Sequence, residues 1–448
     1  MQLYPHQNKS VTRVRVLFKE GKRRVVLSLP TGGGKTACFS YMATEAAKRS
    51  RRVLILTDRQ ELLSQSGNTV RRFGIRPHIH KRGVPFPEEG GIIICMVKSF
   101  ANLAKKNPYL YKFFDMVIVD ECHRGDFRPV VGLFDKSTFI LGATATPISA
   151  NKKFPLYEQY DDIVDTIGVS ELIELEKLVK PITYSTEIDK KGLRTHGDDY
   201  TEASQMKVLD KRKLYTKLID KYKELALGKR TICFCVNREH SRKTAEMFNE
   251  AGISARHVDA NTPEREAIFK AHQKGEFEVL CNVGIATAGY DDPKIECVIV
   301  NLITNSLTKW LQMVGRGGRT SEGKDKFILM DMGANWSKLG LWEDERDWSY
   351  LFHNPVNQNQ GIAPRKLCPK CEAIILASAK VCEFCDYEIP AKKLSKKELE
   401  QEFKEVLKQA NKGIRPMKMD KVPREQWGSL TMDELVALYR SKTYELGW

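Results

Sequence analysis

Pro30-Thr31-Gly32-Gly33-Gly34-Lys35-Thr36 carries the chemically most specific spacing in the 448-residue chain. Glycines let backbone N–H groups curl around phosphates, a lysine reaches the β/γ-phosphates and a threonine hydroxyl can ligate Mg2+. The apolar run at 25–29 and the helical segment from Ala37 supply the strand–loop–helix setting, although Leu29 stands where the general pattern has its first glycine. ATP is therefore the expected ligand, bound by Thr31, Gly32, Gly33, Gly34, Lys35 and Thr36. The apolar run at 116–119 ends in Asp120-Glu121-Cys122-His123. A carboxylate at a buried strand tip suits Asp120 to share Mg2+ with Thr36. Glu121 is placed to orient and deprotonate an attacking water. Adjacent acids can also mark an ordinary strand exit, but beside a phosphate loop the catalytic account is the better one.

Cys368, Cys371, Cys382 and Cys385 form a C-x2-C-x10-C-x2-C array. Two close thiolate pairs suit tetrahedral Zn2+, which would replace the core that so small a segment lacks. A single pair could instead be a redox site. The other cysteines (Cys38, Cys95, Cys122, Cys233, Cys235, Cys281, Cys297) are scattered through mostly apolar runs and are expected to pack as small hydrophobes. This usage favours a reduced compartment over a disulfide framework.

Positioning these groups requires sheets. Apolar runs at 25–29, 53–57, 92–97, 116–119 and 138–141 alternate with helix-length segments, and a second set follows at 231–236, 279–283, 297–302 and 327–331. Continuous apolar strands of this kind belong to buried parallel sheets, so the expected fold class is α/β with two parallel-sheet domains. The polar stretch 189–199 reads as a connection. An aromatic-rich segment with Trp336, Trp342 and Trp348 follows the second set, its rings expected to pack more than to stack on bases. Ser395 with Glu398 and Thr431 with Glu434 mark capped helices in the tail. Arg76, His78, His80, Lys81 and Arg82 read as a solvated loop, and the lysine-rich stretch from Lys207 as an amphipathic helix with a basic outer face. The formal charge of +16 favours a polyanionic partner, and 42% hydrophobic content excludes a disordered chain. No apolar run is long enough to span a bilayer and no signal peptide is visible, so the expected location is cytoplasmic, with no membrane contact.

The order of further motifs resembles helicase superfamily 2. Leu3-Tyr4-Pro5-His6-Gln7 resembles its adenine-reading segment, which implies a base contact for Gln7. Thr57-Asp58-Arg59-Gln60-Glu61-Leu62 sits where the family's first strand-contacting motif lies, implying nucleic-acid contact for Arg59. Gly142-Ala143-Thr144-Ala145-Thr146-Pro147 is similar to the motif coupling hydrolysis to domain movement, implying that role for His123, Thr144 and Thr146. Residues 282–291 resemble the motif in which Thr287 and Gly289 face nucleic acid and Asp291 the ribose. Gln312-Met313-Val314-Gly315-Arg316-Gly317-Gly318-Arg319 matches the family's QxxGRxxR motif. Gln312, Arg316 and Arg319 would complete the catalytic site from the second domain when the two close over ATP.

Within the superfamily the chain is similar to the RadD-like bacterial and phage DNA helicases with a C-terminal zinc ribbon, over residues 7–385. The resemblance implies two tandem RecA-like domains, with expected boundaries 1–170 (first domain), 171–200 (linker), 201–335 (second domain), 336–366 (aromatic-rich linker), 367–390 (zinc ribbon) and 391–448 (helical basic tail). It further implies ATP, Mg2+ and Zn2+ as cofactors and single-stranded or branched DNA as partner, with repair or replication proteins as further candidates. The implied setting is a bacterial or phage-infected cell. The 20 residues between Asp291 and Gln312 leave no room for the strand-splitting hairpin of some unwinding relatives. A branch remodeller is thus expected more than a processive unwinder. An RNA helicase and an ATP-gated clamp or annealing protein are the rivals. The ribbon is expected to meet nucleic acid or a partner protein more than the motor domains.

Overall fold

In the computed structural model, residues 1–80, 91–149, 154–284, 290–355 and 364–390 are described. The first sheet comprises β1 (Arg24–Ser28), β2 (Val53–Thr57), β3 (His78–Ile79), β4 (Ile92–Met96), β5 (Met116–Asp120), β6 (Phe139–Thr144) and β7 (Asp162–Asp165). Its order is β3-β4-β2-β5-β6-β1-β7, with every pairing parallel. β2 and β5 are buried along their whole length. Helices on both faces exclude water from such strands, so no polar alternation is tolerated. The first helix, Pro5–Lys19, starts on a proline at a position where a backbone N–H would have no intrahelical partner, and turns Val11, Val14 and Leu17 into the core.

The second sheet takes β8 (Lys180–Ser185), then, after a small antiparallel hairpin of β9 (Thr195–His196) and β10 (Asp199–Tyr200), β11 (Thr231–Cys235), β12 (Ala255–Val258), β13 (Val279–Asn282), β14 (Cys297–Asn301) and β15 (Lys326–Asp331). Its order is β12-β13-β11-β14-β15-β8, again all parallel. The two tandem RecA-like parallel-sheet domains of the α/β class are therefore present.

Two connections differ from expectation. Residues 171–200 do not form a plain linker, because β8 pairs with β15 along its length. β8 is an edge strand: only alternate residues are buried, and Pro181 is tolerated there. Its composition consequently resembles a loop. The polar stretch 189–199 also contains most of the hairpin, and Asp199 accepts hydrogen bonds from Thr304 Oγ1 and Asn305 N at 2.7 Å each.

The segment 336–366 is not a simple linker either. Trp342 is buried against Phe327 of β15, ring centroids 5.9 Å apart at 77°. Helix Trp348–His353 then packs on β7 of the first domain. Its buried residues are Trp348, Leu351 and Phe352, so these tryptophans are packing groups, as expected. Of the basic stretch, His78 lies in the short strand β3 and is no loop residue, and His80 is buried. The expected amphipathic helix is two helices, Glu202–Leu209 and Arg212–Leu225, broken at Asp210.

β16 (Arg365–Leu367) and β17 (Ile374–Leu376) form an antiparallel hairpin whose turn carries Cys368 and Cys371. One face of this ribbon sits on the second domain. Ala373 bridges to Tyr184, Ser185 N donates to Glu372 O at 3.3 Å, and Glu372 accepts from Lys217 at 2.9 Å and ion-pairs with Lys221 at 3.4 Å. That face is thus engaged by the motor domain. Lys81, Arg82, Thr287, Gly289, the segment 356–363 and the tail 391–448 with its capping signals lie outside the described residues. Among the described residues, no helix is long and apolar enough to cross a membrane.

Candidate nucleotide-hydrolysis site

The tips of β1, β5 and β6 meet at one edge of the first sheet. β1 leads to the glycine loop, which ends at Gly34, a left-handed residue with φ +90° capping helix Lys35–Ala47. A side chain at Gly34 would also collide with Gln7 Nε2. Gln7 Nε2 donates to Gly33 O at 3.4 Å, and a His6 ring nitrogen lies 3.2 Å from the same oxygen. The segment expected to read adenine is therefore packed on the phosphate loop.

A cavity of about 310 Å3 runs between the two domains. From the first domain Thr31, Gly32, Gly34, Lys35, Thr36, Asp120 and Glu121 line it, and from the second Asp291, Gln312, Arg316 and Arg319. Two bare glycines let the walls approach. A Cβ at Gly315 would stand 3.0 Å from Thr31 Cβ, and one at Gly32 would stand 2.6 Å from Leu178.

Lys35 lies between two carboxylates, 3.3 Å from Asp120 Oδ1 and hydrogen-bonded to Glu121. Burial alone would lower its pKa, but the two acids outweigh burial and hold it above the ordinary value. Burial raises Asp120 to about 6 against the opposing pull of Lys35. Burial also acts to raise Glu121, yet Lys35 and His123 prevail and keep it below the usual carboxylate range. Glu121 has φ +54°, a left-handed backbone that a side-chain-bearing residue adopts at a cost of about 1–2 kcal/mol. Such strain concentrates at functional sites. Since kcat/KM reports groups of the free protein, ATP turnover is expected to fall as pH drops through about 6, where Asp120 gains a proton. A kcat/KM profile flat from pH 8 to 5 would remove Asp120 from the chemistry.

His123 Nδ1 lies 3.3 Å from Glu121 Oε2 and 2.8 Å from Thr144 Oγ1. Thr144 Oγ1 in turn accepts from Thr146 N at 3.0 Å and donates to Thr146 O at 3.1 Å. Burial lowers the His123 pKa to about 4, so the ring is neutral at physiological pH. A continuous buried chain thus links the acid pair to the loop after β6. Across the cavity Arg316 donates to Tyr290 O at 2.8 Å, while Arg319 ion-pairs with Asp291. Burial draws both guanidinium pKa values down to about 10, which still leaves them charged.

Residues 1–149 match the family described as type III restriction enzyme, res subunit, and residues 210–321 match the helicase conserved C-terminal domain. The chain belongs to helicase superfamily 2. It is 29% identical over 370 residues to a 51.5 kDa protein of a Lactococcus phage, covering 81% of this chain and 78% of that protein. It is 28% identical over 344 residues to the putative ATP-dependent helicase IRC3 of Saccharomyces cerevisiae, covering 71% of this chain but only half of the yeast protein. Among solved structures, a fragment of a putative type I restriction HsdR subunit from Vibrio vulnificus superposes with a TM-score of 0.62 at 23% identity. That match covers 77% of this chain and 66% of the fragment, and it is a likeness of fold.

Several groups around this helicase site were assigned no place in it by the sequence. Leu62 and Gln65 line the cavity. Asp58, at the tip of β2, ion-pairs with Arg124 at 2.6 Å, and Arg59 reaches the same carboxylate at 4.0 Å. A charged residue directly after a buried strand was the signal that singled out Asp120, and it applies equally to Asp58. Arg59, expected on nucleic acid, is close enough to Arg316 for the two like charges to repel.

The ribbon cysteines of the helicase converge as a group. All four sulfurs lie within 4.8 Å of one another, with Cys368–Cys385 and Cys371–Cys382 both at 3.7 Å. A tetrahedron with Zn–S bonds of about 2.3 Å has S–S edges of roughly 3.8 Å. The donor set therefore fits zinc in number, chemistry and spacing.

Proposed function

We propose that this helicase is a Mg2+-ATP-driven DNA translocase that remodels branched DNA, such as forks and Holliday junctions, in repair, recombination or replication. The observation that carries the reading is the shared cavity, in which a phosphate loop from one domain faces two arginines from the other. The loop amides, Lys35 and Thr36 would hold the triphosphate, with Gln7 on adenine and Asp291 on ribose. Thr36 and Asp120 fit Mg2+, which would neutralise charge on the phosphates. Glu121 would take the proton of the attacking water. Gln312, Arg316 and Arg319 would complete the charge stabilisation only in the closed state, so hydrolysis would alternate grip and release. His123, Thr144 and Thr146 would carry that change to the strand-binding side, where Arg59, Thr287 and Gly289 are the proposed contacts. The +16 charge supports a polyanionic track.

Remodelling in preference to processive unwinding is supported by the interval between Asp291 and Gln312. Its described residues form β14 and the start of helix Leu307–Val314, with no pin of their own. The phage relative supports a bacterial or phage-infected cell as the setting. The test is ATP turnover with single-stranded DNA, duplex, fork, Holliday junction and RNA, alongside Lys35→Ala. Greatest stimulation by branched DNA is expected, with none in the variant. Stimulation by RNA alone would make this an RNA helicase, and undiminished turnover in Lys35→Ala would end the motor mechanism. Long duplexes unwound as well as junctions would remove the remodelling preference.

Zinc is proposed as the ribbon's structural metal, held by Cys368, Cys371, Cys382 and Cys385. Metal analysis should give about one zinc per chain, and Cys382→Ser should release it. Because Glu372 sits beside the cluster and is gripped by Lys217 and Lys221, that variant should also expose the ribbon to protease. Metal-free protein with oxidised cysteines would instead indicate a redox pair.

A further inference from the structure

The turn holding the two arginines is short and has three carbonyls to satisfy. Gly318 O accepts from Val179 N at 2.8 Å. Gly317 O and Arg319 O both accept from a single group, the Lys324 ammonium, at 2.6 and 2.8 Å. The third proton of Lys324 goes to Pro293 O at 3.0 Å, two residues beyond the Asp291 that pairs with Arg319. Phe327 and Trp342 press on the other side of this turn, where a Cβ at Gly317 or Gly318 would run into their rings.

We propose that Lys324 is a positioning residue for ATP hydrolysis, its ammonium clamping Gly317, Arg319 and Pro293 so that Arg316 and Arg319 keep their aim into the nucleotide cavity. This inference rests on the proposed ATPase function of that cavity. Lys324 lies outside the arginine motif, at the end of a tight turn closed by its N–H to Ser321 O at 3.1 Å. A lysine at this point reaches back five to seven residues along the chain, and its three donors match three carbonyls that no side chain of the motif can serve. The acids facing it are engaged elsewhere: Asp292 with Arg230 at 3.3 Å and Glu296 with Lys229 at 3.2 Å. Arg319 adds a like charge. Burial, only partly offset by Asp292 and Glu296, brings Lys324 down to about 8. Losing its proton removes one donor from the clamp, so the arginines lose definition as pH rises through that value.

Steady-state hydrolysis with saturating single-stranded DNA tests the role in wild type, Lys324→Met and Lys324→Arg. Small misplacements of charged groups are costly to turnover, so kcat in Lys324→Met should fall about tenfold. KM for ATP should stay within about twofold, because ground-state binding is untouched. Wild-type kcat should decline above pH 8, whereas Lys324→Arg, charged throughout, should recover most of the rate and lose that decline. Unchanged kcat in Lys324→Met overturns the role, as does a rise in KM with kcat preserved. If Lys324→Met does not fold, the wild-type and Lys324→Arg pH profiles decide, and coincident profiles overturn it. No Lys35-dependent turnover in wild type sinks the ATPase reading itself, whereas normal Lys35-dependent turnover with an unaffected Lys324→Met sinks only this inference.

Discussion

Glu121→Gln is expected to reduce ATP turnover by about a thousandfold while leaving ATP affinity within a few-fold of wild type. The glutamine keeps the shape of the side chain and the left-handed backbone at this position, so thermal stability serves as an internal control. What it loses is the ability to accept a proton. Glu121 is held ionised because the Lys35 ammonium offsets its burial. Triphosphate arriving at the loop would compete for the same ammonium. If Lys35 turned to phosphate, the carboxylate would remain buried with less compensation and become a stronger base. Activation of the water would thereby be tied to substrate binding. Single-turnover hydrolysis with a parallel nucleotide-binding titration measures both quantities. A rate loss below tenfold would assign the proton transfer elsewhere.

Arg316→Ala should cost at least about a thousandfold in turnover, the range seen when a charge-stabilising arginine is removed from phosphoryl transfer. Arg316 is buried, remains charged with a pKa of about 10, and lines the cavity from the second domain. Its hydrogen bond to Tyr290 O sets the direction of the guanidinium. Since the first domain keeps its whole phosphate loop in this variant, nucleotide binding should persist, and the loss should fall on kcat. The same protein should still bind DNA but show no ATP-driven displacement on a fork. Retention of more than a tenth of wild-type turnover would mean that the domains hydrolyse ATP without meeting across the cavity.

The strands that support this chemistry were legible because they are buried on both faces. β2 and β5 are unbroken apolar runs, and the charged residues at their tips stand out against them. β8 was not legible, because an edge strand with one wet face needs only alternate apolar residues and can hold Pro181. The phosphate loop, the acid pair and the arginine motif were visible as local spacing. Lys324 was not, since its role depends on where a turn folds back in space, and one lysine among many carries no mark of that. The ribbon's cysteines announced a metal site, but the partner of its docking face was set by Glu372, whose two lysines lie on a helix about 150 residues earlier. Long-range pairs of this kind leave no periodic trace.

Among the described residues the chain passes between the two sheets twice, once between β7 and β8 and again between Trp342 and helix Trp348–His353. Ser170 on the first passage donates to Glu343 O on the second at 2.7 Å, which joins them side by side. A single tether would let the domains swivel in any direction. Two fastened passages would act like a door hung on a pair of hinges: in the proposed cycle the cleft would swing open and shut, and the leaf would return to the same frame. Each cycle of the proposed motor would then bring the arginines back to one place on the phosphates, and successive steps along a strand would keep the same heading.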